Sequence, residues 1–406
     1  MAPQIDLGVP PLTELQRRRS EKWEGYEPGV ISATIAEMDF PLADPVAEVL
    51  HAAVGRHDLG YASASITRLA EAFAAFAARR LGWQVDPDQV TLVPDVMVGL
   101  LELSRLLAGR DRAVAFAAPA YPPFLLEPPS AGFTVHPIPH LGTGGTDLTA
   151  LAAAFTQGVK VLILANPHNP TGRVLPPTEL AAIAELAAEH DAWVLADEIH
   201  APLVLPGARH HPWLGVSEAA RRRGFALTSA SKAFNVAGLK CALLVTASDE
   251  ARDVARTLPP QSDHAGLLGV LAAEAAFTDG DPWLDAVLRR LDDNRSHLGR
   301  LLADQLPDVR WTPPQAGYLA WLDFRALRVG DDPAATLLPT ARVALSPGLD
   351  YGPEGAGFAR LNFGTGPELL TEMITRIASS DPVRAADRTG QTARASCDLP
   401  AGWRPG

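Results

Sequence analysis

Lysine is rare in this chain, and one of its four lysines lies where an amine could do covalent chemistry. Lys232 follows a predicted strand in a turn of small residues, Ser229-Ala230-Ser231, whose backbone could hold the side chain against a ligand. A lysine amine in such a place can form a Schiff base with a carbonyl compound. From its position alone, a surface lysine at the start of a helix is the alternative. The other lysines are Lys22, Lys160 and Lys240.

Polar side chains follow two apolar segments that predict buried strands. Asp197 ends one of them, and a buried carboxylate needs a cationic partner, such as a pyridinium nitrogen, or it becomes protonated. Asn169 lies in a proline-flanked turn after the other, where its amide could donate to a ligand oxygen. The alternatives are a helix cap or ion pair for Asp197 and an ordinary Asx turn for Asn169.

His200 follows Asp197 by three residues and has His210 and His211 nearby. This group lacks the cysteine or carboxylate spacing of known metal sites, so we expect no metal. Taken alone, His200 could equally be a histidine of the core or the surface.

Alternating strands and helices must bring these residues together. Apolar runs such as KVLILA and AWVLA are typical of strands that are buried on both faces. The alternation implies an α/β fold with a mostly parallel sheet flanked by helices, in which ligands bind at the carboxyl ends of the strands. The pattern predicts strands at residues 90–93, 112–117, 160–165, 192–196, 225–228 and 241–246, and helices at residues 97–108 and 178–190.

The chain divides into four predicted regions. Residues 1–45 are rich in proline and charge and predict an extended arm that packs with a small domain. Residues 46–280 form the predicted large domain. A long helix at 281–305, strands near 320–324 and 358–363, and a helix at 367–377 predict a smaller α/β domain over 281–380. Residues 381–406 lack periodicity and predict a flexible tail.

Composition excludes several classes of protein. The 406 residues are 47% hydrophobic and 20% charged, which is typical of a soluble enzyme and argues against a disordered chain. A net charge of −12 argues against a nucleic-acid partner, and no apolar run is long enough to span a membrane. Because only Cys241 and Cys397 are present and we find no secretory signal, we expect a cytoplasmic protein without a disulfide scaffold.

Several motifs, taken in order, resemble one enzyme family. They are NPHNPTGRV, DEIHAPL, SASKAFNVAGLK and ARLNFG. This set resembles the fold type I pyridoxal-phosphate (PLP) enzymes of the aspartate aminotransferase superfamily. The form DEIH, with AEMDFP and PAYPPF, resembles the MalY/PatB branch, whose members are cystathionine β-lyases and cysteine-S-conjugate C–S lyases. The resemblance covers about residues 22–377 and implies an aspartate aminotransferase-like fold with PLP as cofactor.

The resemblance assigns residues to the cofactor's ring. Lys232 would form the internal aldimine, Asp197 would bind the pyridine nitrogen, and Tyr121 would stack on the ring. Asn169 would contact the ring's 3′-oxygen and the substrate, and His200 occupies a position from which the superfamily also reaches that oxygen.

The resemblance also assigns residues to the phosphate. Two backbone amides at a helix N-terminus, two hydroxyls and one ammonium group would bind it. They belong to Val96 and Met97, to Ser229 and Ser231, and to Lys240.

Two further residues would complete the site. Tyr61 matches a tyrosine that reaches the phosphate of the neighbouring subunit, which implies a homodimer with shared active sites. Arg360 would bind the α-carboxylate of the substrate. Without the resemblance, Tyr61 and Tyr121 would be loop or turn aromatics and Arg360 a surface arginine at a strand edge.

The implied reaction starts when an amino acid displaces Lys232 and the freed amine takes the α-proton, which leads to a quinonoid. A thiolate leaving group would then yield a thiol, pyruvate and ammonia. Gln315, Gly317, Gly364 and the segment 34–37 depart from the branch pattern, and we expect all of them to line the substrate side. The lost bulk predicts a pocket for a substrate larger than cystathionine, such as an S-glycosyl-cysteine from antibiotic biosynthesis.

Three functions therefore stay open at this stage. The first is a PLP-dependent C–S β-lyase. The second is a PLP-dependent aminotransferase or a decarboxylation-coupled oxidative deaminase on a related S-conjugated amino acid. The third is a regulator that keeps PLP to hold its fold, which the intact set of Lys232, Asp197 and Arg360 argues against.

Overall fold

The computed structural model describes residue 5 and residues 7–63, 65–141 and 145–385. Within these residues the strands are β1 (Ile31–Ala33), β2 (Val90–Val93), β3 (Ala113–Ala118), β4 (Thr134–Leu141), β5 (Gly145–Thr146), β6 (Val161–Ala165), β7 (Trp193–Asp197), β8 (Gly224–Thr228), β9 (Ala242–Val245), β10 (Arg310–Trp311), β11 (Leu319–Asp323), β12 (Val343–Pro347) and β13 (Phe358–Asn362). The α-helices are α1 (Leu12–Leu15), α2 (Asp44–Gly55), α3 (Thr67–Phe76), α4 (Val96–Leu107), α5 (Pro122–Ser130), α6 (Leu148–Thr156), α7 (Pro177–Glu189), α8 (Glu218–Arg222), α9 (Ala230–Ala233), α10 (Asp249–Ala255), α11 (Leu267–Asp279), α12 (Asp281–Gln305), α13 (Pro333–Ala341) and α14 (Pro367–Ser379).

The larger sheet has eight strands among the described residues, in the order β2-β9-β8-β7-β6-β3-β4-β5. Strands β8, β7, β6, β3 and β4 run parallel to one another. Every residue of β7 and β8 is buried, as expected for central strands covered on both faces. These strands confirm the predicted α/β fold.

Strand β9 departs from the predicted parallel alternation because it pairs antiparallel with both β8 and β2. Between β8 and β9 the chain forms only the four-residue helix α9 and a short 3₁₀ turn. A segment of this kind turns the chain back instead of carrying it across the sheet on a long helix. As a result β2 runs in the same direction as β8, and the helix that follows β2 starts at the same sheet edge as α9.

The smaller sheet has the order β1-β12-β13-β11-β10 among the described residues. Helices α12 and α14 pack against each other, and α13 and α14 pack on β12. Strand β1 belongs to the N-terminal region and pairs in parallel with β12, with Ile31 opposite Val343. The N-terminal region therefore contributes one strand to this sheet.

The N-terminal region is packed rather than loosely extended. Leu15, Trp23 and Phe40 are buried, and so is Lys22. Because these side chains are covered by the rest of the chain, the N-terminal region packs against the body of the protein. The division of the chain at residues 45, 280 and 380 stays a prediction.

The predicted tail lies mostly outside the described residues. Residues 381–385 are helical, and Val383 is buried against the core. Residues 386–406, including Cys397, lie outside the described part of the chain. No helix in the described part is both long and apolar enough to cross a membrane.

Candidate active site

Three parallel strands deliver polar side chains to one cavity. Asn169 follows β6, Asp197 is the last residue of β7, and Lys232 lies in α9 directly after β8. Neighbouring parallel strands end at the same edge of a sheet, which is where these folds bind ligands. The cavity has a volume of about 250 Å³. Its lining includes Val96, Met97, Tyr121, Asn169, Asp197, His200, Ser231, Lys232 and Lys240.

Lys232 presents an amine whose charge is easily lost. Its Nζ donates a hydrogen bond to the Ala36 carbonyl at 3.2 Å. Burial and, to a smaller extent, the Arg360 guanidinium lower the pKa of Lys232 to about 8, against the opposing effect of the Glu37 and Asp197 carboxylates. A large fraction of this amine is therefore neutral at weakly basic pH, as a nucleophile or a base requires.

Asp197 is a buried carboxylate that lacks a cationic partner among the described residues. It is 8% exposed, and its Oδ1 accepts one hydrogen bond, from the Ile199 amide at 3.1 Å. Burial raises the pKa of Asp197 to about 6, although the Ile199 amide and the Lys232 ammonium favour the charged form. A protonated ring nitrogen would supply the missing partner.

His200 is also buried and lacks a partner at one ring nitrogen. Its Nδ1 makes no hydrogen bond with a described residue. Burial lowers the pKa of His200 to about 3, with smaller contributions from Lys232 and Arg360, so the ring is neutral. A neutral imidazole beside the cavity can accept or donate one hydrogen bond to a ligand oxygen.

A helix N-terminus and a lysine form the far end of the cavity. Helix α4 begins at Val96, and Asp95 caps it by accepting a hydrogen bond from the Val98 amide at 2.8 Å. The other oxygen of Asp95 forms an ion pair with Lys240 Nζ at 2.9 Å. The carboxylate therefore holds an ammonium group beside the helix N-terminus, where an anion is stabilised.

Ser229 does not fit the phosphate role predicted for it. Its hydroxyl donates to the Cys241 carbonyl at 2.6 Å and accepts from the Ser231 amide at 3.0 Å. Ser229 caps α9 in this way and is not part of the cavity lining, whereas Ser231 is. The hydroxyl proton is committed to the backbone, so Ser229 positions the helix of Lys232 instead.

Arg360 lies on β13 and lines a second, larger cleft. Only 4% of Arg360 is exposed, and its guanidinium donates to Asn169 Oδ1 at 3.1 Å and to the Thr34 carbonyl at 2.9 Å. Its Nε has no partner among the described residues. The cleft has a volume of about 930 Å³ and is lined by Lys232 and Tyr121 as well as Arg360. A guanidinium placed in this way can bind a carboxylate.

Tyr121 borders both the cavity and the cleft. It precedes α5, and its ring packs edge-on against Phe124 with a centroid separation of 5.6 Å. Burial raises the pKa of Tyr121 to about 12, and the nearby Asp197 carboxylate adds to the shift. The phenol therefore stays protonated at neutral pH.

Two of the three segments expected to enlarge the substrate pocket do not line it. A Cβ at Gly364 would lie 2.9 Å from Met38 Cγ and 3.2 Å from Tyr318 Cγ, so this glycine makes room for packing. Gln315 accepts a hydrogen bond from the Val174 amide and faces a separate groove. Gly317 is buried with φ +77°, and a Cβ there would lie 3.8 Å from His200 Nδ1.

Only the segment 34–37 lines the cleft as expected. The prediction that lost bulk at Gly364 widens the pocket is wrong, because Met38 and Tyr318 fill the space beside this glycine.

Tyr61 lies apart from the cavity and is fully exposed. Its backbone pairs with Gly266 in an isolated β-bridge. A role at the phosphate would require a second subunit, so this role stays a prediction.

The histidine group shows no metal-binding arrangement among the described residues. No group of three or more histidine, cysteine or acidic side chains there could hold a metal ion. Instead, His210 Nε2 lies 3.2 Å from Glu198 Oε1.

Sequence reasoning placed residues 34–37 beside the substrate but missed the contacts that the backbone carbonyls of this segment make with the site. Tyr318 donates its hydroxyl proton to the Ala36 carbonyl at 2.8 Å, the same oxygen that accepts from Lys232. Asn362 Nδ2 lies 2.6 Å from the carbonyls of Ile35 and Glu37. A signal was available for Asn362, which is two residues from Arg360 on β13 and therefore on the same face.

Comparison with known proteins agrees with this geometry. The model of the family "Aminotransferase class I and II" matches residues 33–377. A candidate cystathionine beta-lyase of Mycobacterium tuberculosis is 41% identical over 403 residues, covering 91% of this chain and 98% of that protein. Cystathionine beta-lyase PatB of Bacillus subtilis is 31% identical over 374 residues, covering 89% and 96%.

Solved structures give the same result. A candidate PLP-dependent beta-cystathionase of Corynebacterium diphtheriae has a TM-score of 0.88 and 35% identity, covering 93% of this chain and 99% of that chain. The predicted resemblance to the MalY/PatB branch and the predicted aspartate aminotransferase-like fold are thus confirmed. The chain belongs to the class I and II aminotransferase family.

Proposed function

We propose that this protein is a PLP-dependent C–S β-lyase that cleaves a cysteine S-conjugate to a thiol, pyruvate and ammonia. One observation carries the proposal: Lys232, Asp197 and Tyr121 border a cavity that opens beside Arg360. This arrangement offers an amine, a partner for a ring cation and a carboxylate receptor within one continuous site. The names of the relatives support the choice of lyase chemistry.

The residues present fit PLP at both ends of the cavity. Asp197 would bind the ring nitrogen, because burial leaves its carboxylate in need of a cation. Asn169 and His200 would face the ring's 3′-oxygen, and the unpartnered Nδ1 of His200 gives that oxygen a hydrogen-bond partner. Tyr121 would cover one face of the ring.

The phosphate would lie at the N-terminus of α4. The amides of Val96 and Met97 and the hydroxyl of Ser231 line this end, and Lys240 adds a positive charge. Asp95, paired with Lys240 at 2.9 Å, would keep that ammonium group at this end of the cavity. Tyr61 of a second subunit would complete this end in a homodimer.

Bound PLP supplies an electron-accepting ring that stabilises negative charge on the α-carbon of an amino acid. Lys232 would hold the cofactor covalently and, after the substrate replaces it, would take the α-proton at Nζ. The Ala36 carbonyl, 3.2 Å from Nζ, would orient the free amine for this transfer. Arg360 would fix the α-carboxylate, which aligns the α-proton with Lys232.

Elimination then needs a thiolate on the β-carbon to leave with its bonding electrons, and water completes the release of pyruvate and ammonia. The cleft of about 930 Å³ has room for a bulky sulfur substituent, which supports a substrate larger than cystathionine. An S-glycosyl-cysteine is one such substrate. The segment 34–37, not the glycine at 364, would shape this side.

The test is the mass of the products formed from an S-alkyl-cysteine and an S-glycosyl-cysteine in deuterated buffer. We expect pyruvate and a free thiol. A product that keeps its C–S bond but has lost nitrogen, with or without carbon dioxide, would replace the lyase by an aminotransferase or oxidative deaminase.

Two lysine variants separate the active-site chemistry from loss of folding. Lys232→Ala should abolish turnover and the covalent attachment of PLP after borohydride reduction. Lys160→Ala is the matched control, because Lys160 donates to the His190 carbonyl away from the cavity. A Lys232→Ala protein that still fixed PLP on reduction would contradict the assignment.

A further inference from the structure

Glu37 has a carboxylate on the wall of the substrate cleft that the proposed reaction does not use. It lines the cleft together with Lys232 and Arg360 and is half-buried. Its carboxylate forms no hydrogen bond or ion pair with a described residue, whereas its backbone groups do. A half-buried carboxylate without a partner is unfavourable unless a ligand supplies one.

Lys22, the lysine of the N-terminal region, pairs with Asp39 and not with the carboxylate of Glu37. Lys22, 1% exposed, forms a buried ion pair with Asp39 at 2.8 Å. Its Nζ also donates to the backbone carbonyl of Glu37 at 3.1 Å, which leaves the carboxylate of Glu37 out of the interaction. The ion pair thus holds the backbone of Glu37, while its carboxylate, which acts on Lys232 only through its charge, keeps its oxygens available for a ligand.

The backbone around Glu37 is fixed from several directions. Asn362 Nδ2 lies 2.6 Å from the Glu37 carbonyl. Asn235 accepts from the Met38 amide at 2.7 Å and donates to the Met38 carbonyl at 2.8 Å. The free carboxylate therefore projects from a well-anchored point, as a specificity group must.

The cationic side chains of the cleft already have roles in the proposed function, and its other charged side chains are acidic like Glu37. Lys232, Lys240 and Arg360 are the cationic side chains of its lining, and in the proposed function they serve the cofactor and the α-carboxylate. Glu21 and Asp350 also line the cleft and are exposed at its rim. Once Arg360 holds the α-carboxylate, the described lining has no unused cation left for the substituent on the substrate's sulfur. That substituent meets only carboxylates among the charged groups.

We propose that Glu37 selects the charge of the leaving group by binding an ammonium group on the sulfur substituent. A substituent that ends in a carboxylate would meet Glu37 without a balancing cation. The preferred substrates are then cysteine S-conjugates with an amino group on the sulfur side chain. This inference rests on the proposed β-lyase function and names the substrate class of the same site.

The test compares three conjugates of nearly equal size on the holoenzyme. They are S-(3-aminopropyl)-, S-butyl- and S-(2-carboxyethyl)-L-cysteine, and the measurement is kcat/KM for thiol release. We expect the aminopropyl conjugate to exceed the isosteric butyl conjugate by about tenfold, and the carboxyethyl conjugate to fall about tenfold below it.

Glu37→Gln should remove most of the aminopropyl preference, so that the ratio of aminopropyl to butyl falls about tenfold. Glu21→Gln removes the same charge from the exposed rim and should change this ratio much less, because solvent screens exposed charges. Glu24→Gln, on an exposed residue outside the cleft lining, is the control for net charge.

The outcomes separate the inference from the function on which it rests. Equal rates for the three conjugates in the wild type, or an equal loss for all three in Glu37→Gln, would overturn the role of Glu37 in charge selection. A wild type that releases no thiol from any conjugate, yet removes nitrogen from them, would overturn the proposed β-lyase function instead.

Discussion

Replacing Asp197 by asparagine should change the pH dependence of folding in the cofactor-free protein. Burial raises the pKa of Asp197 from 3.8 to about 6 in the folded chain. The folded state therefore binds this proton more tightly than the unfolded state does. Stability from this group is fully present below about pH 4 and is lost as the pH rises towards 6, because the unfolded chain ionises first.

The size of the effect follows from the two pKa values. A difference of about two pKa steps corresponds to about 3 kcal/mol, which is the cost of burying the charged carboxylate at neutral pH. Asparagine has a similar shape and does not ionise. The free energy of unfolding of the wild type, minus that of Asp197→Asn, should fall by about 2–3 kcal/mol between pH 4 and pH 7, because a small part of the change lies below pH 4.

Urea unfolding of both cofactor-free proteins at pH 4, 5, 6 and 7 measures this difference. Asp304→Asn, on the exposed side of α12, controls for the loss of one negative charge. With PLP bound, the charged carboxylate should make the wild type more stable than Asp197→Asn at neutral pH, because a ring cation pairs with it. The kcat of the variant should fall about 100-fold. A difference that stays flat from pH 4 to pH 7 would refute the reasoning from burial.

Three further substitutions test other parts of the site. Arg360→Lys should lower kcat/KM by about 10–100-fold, mainly by raising KM, because one ammonium group cannot replace the two parallel donors of a guanidinium. An unchanged KM in steady-state kinetics would contradict carboxylate binding. Lys22→Met should lower the free energy of unfolding by about 3–5 kcal/mol in urea titrations, since it leaves Asp39 buried without a cation, and a loss below about 1 kcal/mol would contradict this. Gly364→Ala should cost about 1–3 kcal/mol through contact with Met38, yet leave the relative KM of large and small conjugates unchanged; a selective rise for large conjugates would place residue 364 in the pocket after all.

Much of the fold could be predicted because its central strands leave a strong local signal. The apolar runs of β6 and β7 are buried on both faces, and the polar residues directly after them mark the carboxyl edge. Asp197, Asn169 and Lys232 follow from this rule even before the family is considered. The direction of β9 could not be predicted from the sequence, because it depends on the connection to β8 and not on the composition of the strand itself.

The contacts around the site were harder to predict because they join residues far apart in the chain. Lys232 and Ala36 are separated by 196 positions, and Tyr318 and Ala36 by 282. A local pattern cannot show which carbonyl an amine will meet, nor that the Ser229 hydroxyl is committed to the Cys241 carbonyl. The packing around Gly364 has the same origin, since Met38 occupies the space that a side chain would need.

The segment 34–39 connects the two groups on which the proposed reaction depends. Its carbonyl at Thr34 accepts from Arg360, and its carbonyl at Ala36 accepts from Lys232. Arg360 lies on the smaller sheet and Lys232 follows a strand of the larger one, so neither sheet alone fixes their separation. Because Lys22 holds the same segment through the Glu37 carbonyl, the N-terminal region takes part in setting the distance between the proposed base and the proposed carboxylate receptor. A region that composition alone describes as an arm is therefore part of the framework of the proposed active site.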